Sequence, residues 1–173
     1  MKKWVWILLM IACVLSGCKK QPTVETVNDE YRIPAPPQMQ QVILTLPDEV
    51  CTPVMQTDSA ILYMGRDYTL SQQTFSSGDL EKTFREISGF SKEELKVMET
   101  AWENATRYDF VWASAGESGE QLCRGCILDD GNYHYVLTAA ADATQAGQLQ
   151  GIWREIFNSF RVVSSEMPIN TGS

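Results

Sequence analysis

Apolar positions along the middle of the chain recur with period two, and helical spacing interrupts them at two places. Val42, Leu44 and Leu46 alternate with Ile43 and Thr45, a strand that Pro47 ends. Ala60 to Met64 and Tyr68 to Phe75 read as strands joined by a turn at Gly65-Arg66-Asp67. Leu80, Phe84 and Ile87 fall at i, i+4 and i+7 and predict a helix over 79–88, with Gly89 placed to end it. Ser91-Lys92-Glu93-Glu94 is a capping box that opens a brief turn through Leu95 and Lys96. Period two then returns: Tyr108, Phe110 and Trp112 make a bulky face, opposite Asp109, Val111 and Ala113. Gln121 to Leu128 and Tyr133 to Ala139 flank Asp129-Asp130-Gly131-Asn132, a hairpin signal because Asp-Gly tolerates positive φ. The clearest helix is predicted over 143–158, with Leu149, Ile152, Trp153, Ile156 and Phe157 on one face. Phe160 to Val163 suits a closing strand. Strands with short antiparallel connections and helices at two points imply an α+β domain, one antiparallel sheet with helices packed on one face.

The N-terminus has a different pattern. Lys2 and Lys3 precede an unbroken apolar run from Trp4 to Leu15, followed by Leu15-Ser16-Gly17-Cys18. As a helix the run rises about 18 Å, short of the roughly 30 Å of a bilayer core, so it suits a signal peptide rather than a permanent span. Leu15-Ser16-Gly17-Cys18 resembles the lipobox of bacterial lipoproteins. The resemblance implies cleavage between Gly17 and Cys18 and a diacylglyceryl (palmitate-type) anchor on Cys18, so that 1–17 is removed. Two long acyl chains at about 0.8 kcal/mol per methylene form a durable anchor. Residues 18–39, with four prolines and no sustained period, read as a lipidated N-terminus and flexible tether; 40–163 form the single domain and 164–173 a disordered tail.

Charge narrows the partners. Fourteen Lys and Arg against 22 Asp and Glu leave −8, and losing Lys2 and Lys3 makes the balance more negative still. That sign disfavours nucleic acid, whose binding needs cations to replace condensed counterions. The single histidine, His134, excludes sites needing two.

Three cysteines remain beside Cys18. Cys123-Arg124-Gly125-Cys126 is a CxxC, which invites a redox or zinc reading, with His134 as a fourth ligand on paper. The motif falls in a strand, where positions three apart face opposite ways, so a local bridge would need the backbone to buckle at Gly125. The alternative is one disulfide from Cys51 to Cys123 or Cys126, with the third thiol buried. Asp129, Asp130, Glu117 and Glu120 lack the alternating ligand spacing of a calcium loop. His134 reads as a surface or edge residue, and Trp112, Trp153 and Phe157 as core. Trp102, among polar neighbours, is a candidate binding surface at a hairpin end.

Tyr108-Asp109-Phe110-Val111-Trp112, Asp130-Gly131-Asn132-Tyr133-His134-Tyr135, and a long helix ending Ile156-Phe157-Asn158-Ser159-Phe160 together resemble the C-terminal half of PsbP-like (DcrB-like) α/β sandwich domains. The resemblance implies a fold found in secreted and lipid-anchored bacterial proteins, and it carries over no catalytic residue. The expected protein is a lipoprotein on the extracytoplasmic face of a cell membrane. Its expected role is a non-enzymatic binding or envelope-assembly module for another envelope protein, without cofactor or metal. The rival readings are a thiol-based redox or metal-binding protein using Cys123 and Cys126, and a small-ligand receptor.

Overall fold

A computed structural model describes residues 25–27, 30–32, 41–46, 51–57, 59–116 and 119–163. In chain order the elements are β1 (Glu25–Val27), β2 (Glu30–Arg32), β3 (Gln41–Thr45), β4 (Cys51–Gln56), β5 (Ala60–Gly65) and β6 (Tyr68–Ser76). Helices α1 (Leu80–Ser88) and α2 (Lys92–Leu95) follow, then β7 (Met98–Trp102), β8 (Ala105–Gly116), β9 (Gly119–Asp129), β10 (Tyr133–Asp142), α3 (Ala146–Ser159) and β11 (Arg161–Val163). The main sheet has seven antiparallel strands in the order β4-β5-β6-β10-β9-β8-β7, and a smaller sheet has the order β1-β2-β3-β11.

Local chemistry accounts for the boundaries. Asp79 caps α1 by accepting the Glu81 amide at 3.1 Å, and Gly89, at φ 81°, ends it by donating to Arg85 O at 2.9 Å. The capping box of α2 is complete: Ser91 Oγ accepts the Glu94 amide at 3.3 Å while Glu94 Oε2 accepts the Ser91 amide at 2.7 Å. In the β9–β10 hairpin Gly131 sits at φ 87°, and Asp130 Oδ1 accepts the amides of Asn132 and Tyr133 at 2.8 and 2.7 Å.

The antiparallel α+β class is as expected, but the helices lie on both faces of the main sheet, not one. Val136 and Leu137 are consecutive on β10, so they point opposite ways, and both are fully buried. Val136 joins Ile127, Tyr108 and Phe110 under Phe84 of α1 and Leu95 of α2. Leu137 joins Leu70, Tyr63 and Leu128 under Trp153, Ile156 and Phe157 of α3, with Leu44, Phe160 and Val162 of the small sheet region closing that core. β1 and β2 lie within 18–39, the stretch expected to be tether, and β2 pairs with β3.

Candidate functional site

The α3 face of β8 carries Arg107, Asp109 and Val111 at alternate positions. Across the ladder they meet Leu128, Cys126 and Arg124 of β9. Arg107 is 3 % exposed. Its Nε and Nη2 donate to the two carboxylate oxygens of Asp109 at 2.6 and 2.9 Å, and Nη1 donates to the carbonyl of Phe157 at 2.8 Å. α3 has no basic residue in its own last turn, so Arg107 brings both a donor and a positive charge to its C-terminal end. Burial works against the Arg107 charge, and the Asp109 bonds together overcome it, leaving its pKa above the ordinary value.

Arg124 is placed differently. Its Nη2 stands 3.8 Å from Asp109 Oδ1, an oxygen already bonded to Arg107, and its guanidinium lies 4.5 Å from the centroid of the Phe157 ring. Burial lowers its pKa. Two guanidiniums share one carboxylate, so this corner keeps one uncompensated positive charge.

Arg124 opens onto a cleft of about 850 Å³. Leu95 and Lys96 line one side, Trp153 and Arg154 of α3 the other, with Leu122 and Val111 between them. The cleft straddles the sheet edge because β7 is short. β7 pairs with β8 only from Ala105 to Asp109; from Phe110 to Gly116, β8 has β9 on one side and no strand on the other among the described residues. A second hollow of about 450 Å³ lies at the end of the β8–β9 hairpin, beside Ala113, Ala115 and Gly116 of β8 and Gly119 and Glu120 of β9.

The expected site residues fare unevenly. Gly17 and Cys18 lie outside the described residues. Cys123 and Cys126 are both buried free thiols, so the expected disulfide to Cys51 is absent. Topology gives the reason. β4, which carries Cys51, lies four strands from β9, roughly 19 Å at about 4.8 Å per strand, whereas a bridge needs Cα atoms about 6 Å apart. The CxxC does place its thiols on opposite faces: Cys126 packs with Leu137 in the α3-side core, while Cys123 stands across from Trp112. Burial raises both thiols above the ordinary range, Cys126 far above it, the reverse of what a redox thiolate needs. Among the described residues no group of three or more His, Cys, Asp and Glu is placed to hold a metal.

Trp102 does stand at the β7–β8 hairpin end, but it is half-buried, and its ring face is taken by the Arg107 guanidinium 4.5 Å from the centroid. It covers Arg107 rather than offering an open aromatic platform. His134 is buried, not at the surface. Its Nδ1 is 2.8 Å from Thr83 Oγ1 of α1 and its Nε2 is 3.7 Å from Asp129. Sequence reasoning passed over Arg107, Asp109 and Arg124. The signal was available: charged residues at alternate positions inside a long strand, opposite an aromatic face, are costly unless paired.

No family model matches the chain, and no curated protein matches it. Solved structures do. The solution structure of cyanobacterial PsbP (CyanoP) from Synechocystis sp. PCC 6803 matches with a TM-score of 0.54 and 10 % identity, over 85 % of this chain and all of that one (100 %). A crystal structure from Bacteroides thetaiotaomicron matches with a TM-score of 0.51 and 8 % identity, over 72 % of this chain; the match spans 46 % of that longer chain. The chain has a PsbP-like α+β fold.

Proposed function

We propose that the chain is a non-enzymatic binding module, held at the extracytoplasmic face of a bacterial membrane by lipid on Cys18, and that it engages another envelope protein through the cleft at the β8 edge. The observation that carries the binding role is the coincidence, in one place, of an open strand edge, a cleft with both apolar and charged walls, and the surplus charge of Arg124. Outside the cleft, the buried imidazole of His134 is held by Thr83 of α1. The anchor rests on the Lys2-Lys3 start, the apolar run and the Leu15-Ser16-Gly17-Cys18 box.

A photocrosslinking amino acid placed in cells at Val111, which is 58 % exposed, and separately at Val54 on the opposite sheet edge, 53 % exposed, tests the binding surface. Adducts at position 111 well above those at position 54 are expected. Equal yields at the two positions, or none at either, would contradict the assignment.

A further inference from the structure

We infer that β8 accepts an extended, acidic segment of a partner protein along Phe110–Gly116, as an eighth strand of the main sheet. The inference rests on the cleft being the binding surface and adds the kind of partner that fits it.

An open strand edge is a template for another chain, and proteins guard such edges with proline, bulges or charge. The opposite edge is guarded: β4 carries Pro53 and a register shift between Pro53 and Met55. The free stretch of β8, Val111-Trp112-Ala113-Ser114-Ala115-Gly116, has no proline and no charge, and its register to β9 runs without a bulge. In an antiparallel ladder, residues alternate between bonding one neighbour and the other. The β7–β8 hairpin closes on the Trp102–Ala105 pair, so Ala105, Arg107 and Asp109 turn their backbone groups toward β7. By the same parity Val111, Ala113 and Ala115 turn theirs outward.

The cleft is open to both faces of the sheet. Its lining crosses the sheet plane, with Leu95 and Lys96 on the α1–α2 side and Leu122, Arg124 and Arg154 on the α3 side. A strand laid against β8 sends alternate side chains to those two sides, whereas a ligand confined to one face would leave the other unfilled.

Charge then selects the occupant. Arg107 occupies both Asp109 oxygens, which leaves Arg124, Arg154 and Lys96 around the cleft. The other acid there, Glu94, keeps its charge while bonded to the Ser91 amide in its capping box, so three cations face one remaining carboxylate. A carboxylate two or three residues along an incoming strand answers this charge, in a chain that is otherwise strongly acidic. A second copy of the chain would set its own uncharged Val111–Gly116 stretch there and leave the charge unmet.

The full-length protein in its native membrane tests this, with the photocrosslinker moved one position at a time from Val111 to Ala115 and the adducts mapped by mass spectrometry. The expected result is one partner segment whose crosslinked position advances residue by residue in a fixed direction, with Asp or Glu within two residues of the site joined to position 111. Arg124→Gln should lower the yield at least about tenfold, as loss of a charge-assisted bond would, and Arg124→Lys should retain most of it. Ala113→Pro, which removes an outward amide, should abolish the yield while the melting temperature and far-UV circular dichroism stay near those of the parent. Adducts to the chain's own 110–116 stretch would show a second copy instead. Adducts to lipid or a small molecule, or to a neutral or scattered set of positions, would overturn the strand-addition proposal while leaving the cleft as a binding surface. Absence of any excess over Val54 would remove both.

Discussion

Arg107 performs three tasks with one side chain: it neutralises Asp109, closes the C-terminal end of α3 through Phe157, and lies against Trp102. Removing it leaves a carboxylate that is 14 % exposed without its fork partner. Arg107→Met is therefore expected to destabilise the fold by about 3 kcal/mol in urea denaturation, and Arg107→Met combined with Asp109→Leu to recover most of the loss. A double variant no more stable than the single one would show that the pair is not the source. The thiols lead to a pH prediction. Burial raises Cys123 and Cys126 above their ordinary value of 9.0, and burial also raises Tyr108. A group whose pKa is raised on folding holds its proton more tightly in the native state. Its stabilising contribution is complete below the unfolded pKa and is lost as pH climbs through the folded one. The melting temperature should hold from pH 7 to about 8.5 and fall above about pH 9, with a shallower fall in Cys126→Ala; a flat profile to pH 10.5 would contradict the burial of these groups. These roles were hard to read from the chain, because nothing local to Arg107 names its partner Phe157, which lies fifty residues away.

At the scale of elements, the hairpin at Asp129–Tyr133 and the helices α1 and α2 were legible because their signals are local: a turn that needs positive φ, a cap and a period. β4 and β7 were not. β4 carries Pro53 in its middle, and Met98 to Ala101 of β7 are all exposed, so neither shows the alternation of a half-buried strand. α3 begins at Ala146 rather than Ala143 because Asp142 holds Thr144 in a turn, accepting its amide at 2.9 Å and its hydroxyl at 2.6 Å. Gly125 shows how one residue sets the packing of two elements. A Cβ there would clash with the ring edge of Phe110, which lies over the glycine and meets Phe84 of α1 edge-on at 5.0 Å between centroids. Gly125→Ala is expected to cost about 2 kcal/mol by denaturant titration, with Phe110→Leu in the same chain relieving part of it. An unchanged midpoint in Gly125→Ala would show that the ring moves aside freely.

For the whole molecule, apolar residues at successive positions of β9 and β10 allow a sheet covered on both sides, but only the path of the chain decides where each helix lies. α1 and α2 lie on one face and α3 on the other. The cleft was illegible for a related reason. It exists because β7 stops opposite Asp109 while β8 runs on to Gly116, a mismatch of strand ends that no residue motif records. The proposed anchor is testable at the same scale: Cys18→Ala should leave the membrane fraction and lose palmitate label, and a labelled, membrane-bound variant would contradict lipid attachment there. The central claim is that the free edge of β8 is a surface made to be covered. Amide hydrogen exchange of the full-length protein measures this most directly, comparing the 110–116 stretch in purified material with the same stretch in native membranes. Fast exchange at Val111, Ala113 and Ala115 when purified, and at least about tenfold slower exchange at these three amides in the membrane, with β4 unchanged, is the expected result. Equal rates in the two preparations would contradict it.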